Sequence, residues 1–197
     1  HRKSAQRHPF RIYFVVLRRE PHRLEHIGLA RRVVGVLAAT VHVDLDRARP
    51  LLGRPYRISG RVVQGVNPKA KTPAWMVERL ARCGQRSVSA LVDISNYVMF
   101  EHGRPSHIFD LDKIHGGLQV RWGRAGESLE LLNGNTITVD DQVGVIADEQ
   151  QVESLAGIMG GLDSAVSDST QNIFIESAWF HPDTIRKSSQ RHGVKSD

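Results

Sequence analysis

Apolar and polar positions along this chain fall into stretches that each predict an element. Ile12–Leu17 reads as a short strand between arginines. Over 27–39, Ile27, Ala30, Val33, Val34 and Leu37 recur at helical spacing and predict a short helix. Asp44 to Pro55, rich in arginine and broken by Pro50 and Pro55, reads as a linker. Arg57–Val66 alternates as a strand does. Thr72 and Pro73 have the character of an N-cap and first helical position. The helix they open is expected to bury Met76, Leu80 and Cys83 and to stop at Gly84.

The stretch 91–110 fits no simple period. Apolar residues surround Asp93, Ser95 and Asn96 follow, Gly103 and Pro105 turn the chain, and His107 arrives beside Phe109 and Asp110. Burying Asp93, Asn96 and His107 costs free energy unless each finds a partner. Their concentration therefore points to a shaped polar site; a buried, hydrogen-bonded loop without chemistry is the competing reading. Beyond it the pattern turns to strands. Leu118–Trp122 alternates, and Glu127–Leu132 and Thr136–Val139 flank Asn133-Gly134, a hairpin signal. Val143–Ala147 is a buried strand, Asp148–Gln151 its polar turn, and Val152–Ala156 the return. The glycine cluster Gly157–Gly161 lacks the Gly-Lys-Ser/Thr ending of a phosphate loop. Glycine there lets a ligand or another strand approach the backbone. Asn172–Ser177 is a further strand in which Glu176 follows an apolar run, so its carboxylate must pair with a cation or meet a ligand. His181-Pro182 opens a last helix, Asp183–Gln190, which ends near His192-Gly193.

Composition narrows the partners. A chain of 197 residues buries one good core or two small coupled ones. A net charge of +6 favours anionic partners, nucleic acid first. The N-terminal stretch carries seven arginines or lysines up to and including Arg23, either a nucleic-acid arm or a frayed end. Arg186, Lys187, Arg191 and Lys195 lie along the last helix, as contacts to RNA or as a solvated face. One cysteine, Cys83, precludes an internal disulfide and fits a reducing compartment. No apolar run has the length of a membrane span and no secretion signal stands out, so the expected location is the cytoplasm. The start at His1, without methionine, is that of a fragment or trimmed chain. His102, His115, His181 and His192 lack the paired spacing of a zinc site. Asp110 and Asp112 read as cap or loop residues. No metal is expected. Ser95, Ser106 and Ser196 have no evident base beside them.

Several motifs then fall in order over roughly 57–197: Asn67–Met76, Leu80–Gly84, Arg86–Ser89, Val92–Val98, Gly103–Asp112, Ala156–Gly161, Thr170–Asn172, Ile175–Ala178 and Arg191–Asp197. In these the chain resembles the β subunit of bacterial phenylalanyl-tRNA synthetases, in its B3/B4 editing region. The resemblance implies an α+β fold, a β-sandwich-like module with flanking helices. It implies a tRNA-editing domain over 57–197, truncated at its C-terminal end, behind a basic segment and linker over 1–56. The activity implied is hydrolysis of tyrosine wrongly esterified to the phenylalanine tRNA. By position, His107 and Glu176 match the catalytic pair, Glu176 being the group that recognises the tyrosine hydroxyl. Arg86 matches an arginine near the entrance, Pro105 the proline of a Pro-x-His pair, Gly160 and Gly161 a glycine floor, and Ser196 a pocket wall where the family often has threonine. Implied partners are the acceptor end of that tRNA and an α subunit in an α2β2 heterotetramer, with no membrane. Implied cofactors are none in this region, with ATP and magnesium serving the whole synthetase. Two departures stand out. Arg19–His26 replaces an Asn-Arg-x-Asp-Cys-like run, and the chain ends at Asp197, before a further pocket strand of the family.

The residue types suit that chemistry. Tyrosine differs from phenylalanine by one hydroxyl, which an apolar synthetic pocket cannot fully reject, so a second sieve is useful. A part-buried carboxylate left unmet by a bare ring costs about 1–3 kcal/mol. Hydrolysis needs a positioned water and a stabilised oxyanion. His107 is the side chain suited to orient water or the terminal ribose, with general-base action the open alternative. The competing function is a non-catalytic tRNA-binding or subunit-assembly fragment of the same synthetase.

Overall fold

The computed structural model describes residues 10–11 and 56–195, and its elements follow from local chemistry. In chain order they are β1 (Phe10–Arg11), β2 (Tyr56–Gln64), α1 (Ala74–Arg82), α2 (Ala90–His102), β3 (His107–Asp110), β4 (Gln119–Trp122), β5 (Glu127–Glu130), β6 (Thr136–Val139), β7 (Gly144–Ala147), β8 (Val152–Leu155), β9 (Met159–Gly160), β10 (Asn172–Phe180) and α3 (Pro182–His192). The arrangement is α+β with antiparallel sheets, as expected. The strand expected at 12–17, the helix at 27–39, the linker at 44–55 and Ser196 lie outside the described residues.

The chain divides into two compact units. The first, within Phe14–Ile114 and Asp163–Trp179, holds the three-stranded sheet β2-β10-β3 and the helices α1 and α2. One face of this sheet presents Ile108, Ile173 and Ile175 to Val63, Val66 and Leu91, so α2 is seated on it. Met76 and Leu80 of α1 pack with Tyr97 and Ile94 of α2.

Three expectations fail here, each for a local reason. The stretch from 90 to 102 is a helix, not a loop. The Ser89 hydroxyl caps its first turn by accepting from the Val92 N–H, and Gly103 ends it in the left-handed conformation at φ 64°. Its apolar residues spread around the helix because it packs on a sheet and on α1, which hides the helical period. Thr72 does not cap α1: Pro73 takes that position, and the Thr72 hydroxyl donates to Asp93 instead. Cys83 is exposed, because the helix closes at Arg82 and Cys83 is already its C-cap.

Asp93 is fully buried and its carboxylate accepts from the Val88 N–H at 2.9 Å and from the hydroxyls of Ser87 and Thr72. One side chain thereby ties two loops to the first turn of α2. Its partners are its own fold, so Asp93 is structural.

The second unit, within His1–Tyr13, His115–Leu162 and Phe180–Asp197, holds the sheet β1-β4-β7-β8-β9, the hairpin β5–β6 and α3. Leu131, Val143, Val145 and Leu155 form the centre of its core, with Val194 and Ile185 packed against it. The Asn133-Gly134 signal does mark the turn, with Gly134 at φ 82°. The hairpin docks on the β8–β9 end: Leu132 N donates to Gly160 O at 3.0 Å and Leu162 N to Glu130 O at 2.8 Å.

Asp93→Ala would strand three donors in the first unit. It is expected to lower the unfolding free energy by about 2–4 kcal/mol, read by urea denaturation, whereas Ser87→Ala, which removes one donor, has a smaller effect.

Candidate functional site

The register of β10 against β3 decides which polar groups meet. Ile173 stands opposite Asp110, Phe174 opposite Phe109, Ile175 opposite Ile108, and Glu176 opposite His107. Directly opposed residues project to one face, with Cβ atoms about 4.5–5.5 Å apart. Alternation therefore gathers His107, Phe109, Phe174 and Glu176 on the face away from α2. Ring contacts agree: His107 meets Phe109 edge-on at 4.5 Å, and Phe109 lies 6.4 Å from Phe174. Both phenylalanines are fully buried.

Glu176 sits at the end of this aromatic row, 6% exposed. Among the described residues no cation or hydrogen-bond donor reaches its carboxylate. Burial pushes its pKa up to about 7. His107 is half-buried as a residue, yet its Nε2 is shielded from solvent and has no hydrogen-bond partner among the described residues. Burial lowers its pKa to about 4, so the ring is neutral at pH 7. Unpartnered buried polar atoms are uncommon, and these two residues, opposed on one sheet, make the candidate site.

The backbone leading into His107 is fixed from α2. Ser95 Oγ donates to Ser106 O at 3.0 Å and shares a hydrogen bond with Ser106 Oγ. Both serines act as hydrogen-bonding residues, as read from the sequence. Asp110 caps the turn after β3, its carboxylate accepting from the Asp112 N–H and from the Thr170 hydroxyl. Asn96 is half-buried in α2.

The remaining expected site residues are not gathered here. Pro105 is exposed in the turn before β3, and Arg86 is exposed in the loop between α1 and α2. Gly160 and Gly161 are buried in the other unit. A Cβ on Gly161 would stand 2.7 Å from Leu129 Cδ1 and 2.8 Å from Glu153 O, so strand packing alone requires that glycine. On α3, Arg186 pairs with Asp183 and Arg191 with Asp140, which ties up half of the basic face suspected there.

The sequence reading missed Gly60. A Cβ there would lie 1.9 Å from Phe174 Cζ, so the Phe174 ring occupies the room a side chain would need. A glycine inside a strand pattern was the available signal.

The comparisons with known proteins fit this picture. Residues 55–197 match the family model of the B3/4 domain, and the chain belongs to that family. Relatives are phenylalanine–tRNA ligase β subunits. That of Burkholderia lata is 57% identical over 186 residues, covering 88% of this chain and 23% of that protein. That of Burkholderia pseudomallei is 62% identical over 167 residues, covering 85% and 20%. That of Bordetella pertussis is 50% identical over 186 residues, covering 88% and 23%. The chain thus spans about a fifth to a quarter of the length of these relatives. A solved N-terminal fragment of the phenylalanyl-tRNA synthetase β subunit from Pyrococcus horikoshii overlays at a TM-score of 0.45 and 15% identity, covering 77% of this chain and 47% of that one. That likeness is too remote to carry weight.

Two outcomes are expected. Gly60→Ala displaces Phe174 and destabilises by about 1–3 kcal/mol, and Phe174→Leu in the same chain recovers part of the loss in thermal unfolding. The paired titrations give the second. Glu176 ionises near 4.5 unfolded and about 7 folded, so it binds more protons in the native state and its contribution to stability falls as pH rises through that window. His107 goes from 6.5 to about 4, so its contribution falls as pH drops through that window. The two slopes oppose each other where the windows overlap. Glu176→Gln should therefore raise the unfolding free energy at pH 8, by an amount on the order of 3 kcal/mol, leave it near the parent value at pH 4, and expose the acid-side slope of His107 in urea denaturation.

Proposed function

We propose that this chain is the tRNA-editing part of a phenylalanine–tRNA ligase β subunit, and that it hydrolyses the ester of tyrosine mischarged on the phenylalanine tRNA. One observation carries the reading: a buried Glu176 carboxylate with no partner among the described residues, opposed across two strands by His107. On this reading residues 57–197 are the editing module and 1–56 a basic lead-in. The longer subunit works in the cytoplasm with an α subunit in an α2β2 assembly.

Glu176 is the selector. A phenol hydroxyl donates to its carboxylate, or accepts from its acid form, and a bare phenyl ring satisfies neither. Phe109 and Phe174 behind it are apolar and fully buried and offer a substrate ring no polar partner, so discrimination falls on the oxygen. His107, neutral at pH 7, is a weak base. It serves better by holding a water or a hydroxyl of the terminal ribose at the ester than by taking a proton from it. Arg86 and Pro105, exposed in the same unit, are proposed as surrounding contacts to the substrate. ATP and magnesium belong to amino-acid activation in the whole synthetase. Among the described residues no three His, Cys, Asp or Glu side chains gather as a metal site, and no step here is routed through a metal. No helix among them is long and apolar enough to cross a membrane.

Incubating the chain with phenylalanine tRNA charged with tyrosine should release tyrosine. Glu176→Ala should lower kcat/KM about 10- to 100-fold, the worth of about 1–3 kcal/mol, and His107→Ala should lower kcat. Retention of the tRNA without deacylation, or release indifferent to both substitutions, would replace this reading with the non-catalytic binding fragment.

A further inference from the structure

Outside the proposed site, the most polarised surface of the first unit is the segment from Lys69 to Arg86. It contains Lys69, Lys71, Arg79, Arg82 and Arg86 against one acid, Glu78, a balance of five less one, or +4, in a chain whose whole net charge is +6. All six residues are exposed. An aromatic group is built into the same surface. Trp75, on the first turn of α1, is 40% exposed, and its indole meets the buried Tyr97 ring edge-on at 5.3 Å. The Arg79 guanidinium lies 5.4 Å from the Trp75 ring centre and donates to the Tyr97 hydroxyl at 2.6 Å.

This is a costly way to finish a helix surface. An exposed indole and a guanidinium give up rotamer freedom together, and Tyr97 holds both. The result is a flat ring, braced from below, with an arginine fixed beside it and lysines flanking. Arg79 spends one of its five N–H donors on Tyr97 and keeps the others for an anion. Excess positive charge and a stacking ring match a polyanion that carries flat bases. A protein partner of ordinary composition would not need four uncompensated cations. The basic face of α3 is the poorer candidate, since two of its four cations are paired with acids, against one of the five here, Arg82 with Glu78.

We propose that the α1 surface, centred on Trp75 and Arg79, binds single-stranded RNA, with a base stacked on the exposed indole and the phosphates following Lys69 and Lys71. It deepens the editing reading and rests on it for the choice of RNA over other polyanions. The surface would hold an unpaired part of the tRNA apart from the group that reads the amino acid.

The test measures binding of a short fluorescein-labelled single-stranded oligoribonucleotide, and of uncharged phenylalanine tRNA, to the full chain across a salt series. Trp75→Ala should weaken binding about tenfold and Trp75→Phe much less, since a base stacks on any ring. Lys69→Gln and Lys71→Gln, at exposed positions that do not support the fold, should each reduce the slope of log K against log salt by about 0.7. Under all four substitutions the kcat of tyrosine release should hold while KM rises. Unchanged affinity in Trp75→Ala together with unchanged salt slopes would overturn the proposal, and so would equal loss in Trp75→Ala and Trp75→Phe. The editing reading fails separately, through Glu176 and His107, because binding of uncharged RNA involves neither.

Discussion

A carboxylate inside an apolar strand has to be answered by something, and in the first unit the answer does not come from the described chain. The β10–β3 register sets Glu176 against His107 and lines the row behind them with Phe174 and Phe109. Several neighbours in that unit hold this register. Ser95 fixes Ser106 just before the strand, Asp110 closes the turn just after it, and Gly60 leaves the room in which Phe174 lies. A slip of one residue would send Glu176 to the other face, among Ile108, Ile173 and Leu91, where a charge is far less tolerable.

The two buried carboxylates of this unit make an instructive contrast. Asp93 and Glu176 are comparably hidden, yet Asp93 accepts three hydrogen bonds from its own fold while Glu176 has none among the described residues. Satisfaction, not burial, is what separates the two acids. The same distinction separates the serines, which bond to one another, from His107, whose Nε2 is sheltered and unmet.

The sequence made much of this legible, for physical reasons that can be named. Glycines with one conformational job, Gly84, Gly103 and Gly134, read correctly as stops or turns, because positive φ is a local property. Glu176 and His107 stood out because each is a polar residue at a position that an apolar strand would otherwise fill. What stayed hidden depends on packing between distant segments. The helix over 90–102 is apolar around most of its circumference, so no one-sided period betrays it. Thr72 looked like a cap because nothing local announces a hydrogen bond to Asp93, 21 residues away. The glycine cluster left open whether a ligand or another strand comes close, and at Gly161 the near neighbours are Leu129 and the Glu153 carbonyl. Gly60 carried a readable sign whose meaning only Phe174 supplies.

The docking of the β5–β6 hairpin on the second unit has one more effect. A terminal strand such as β9 ordinarily presents a ladder of unused amides and carbonyls to any passing chain. Here Leu132 and the Leu131–Gly161 bridge occupy that border from within the same molecule. The sheet is thereby blunted against growing sideways into a neighbour. A module that must coexist with other copies during synthesis gains resistance to clumping from a contact that bears no relation to its chemistry.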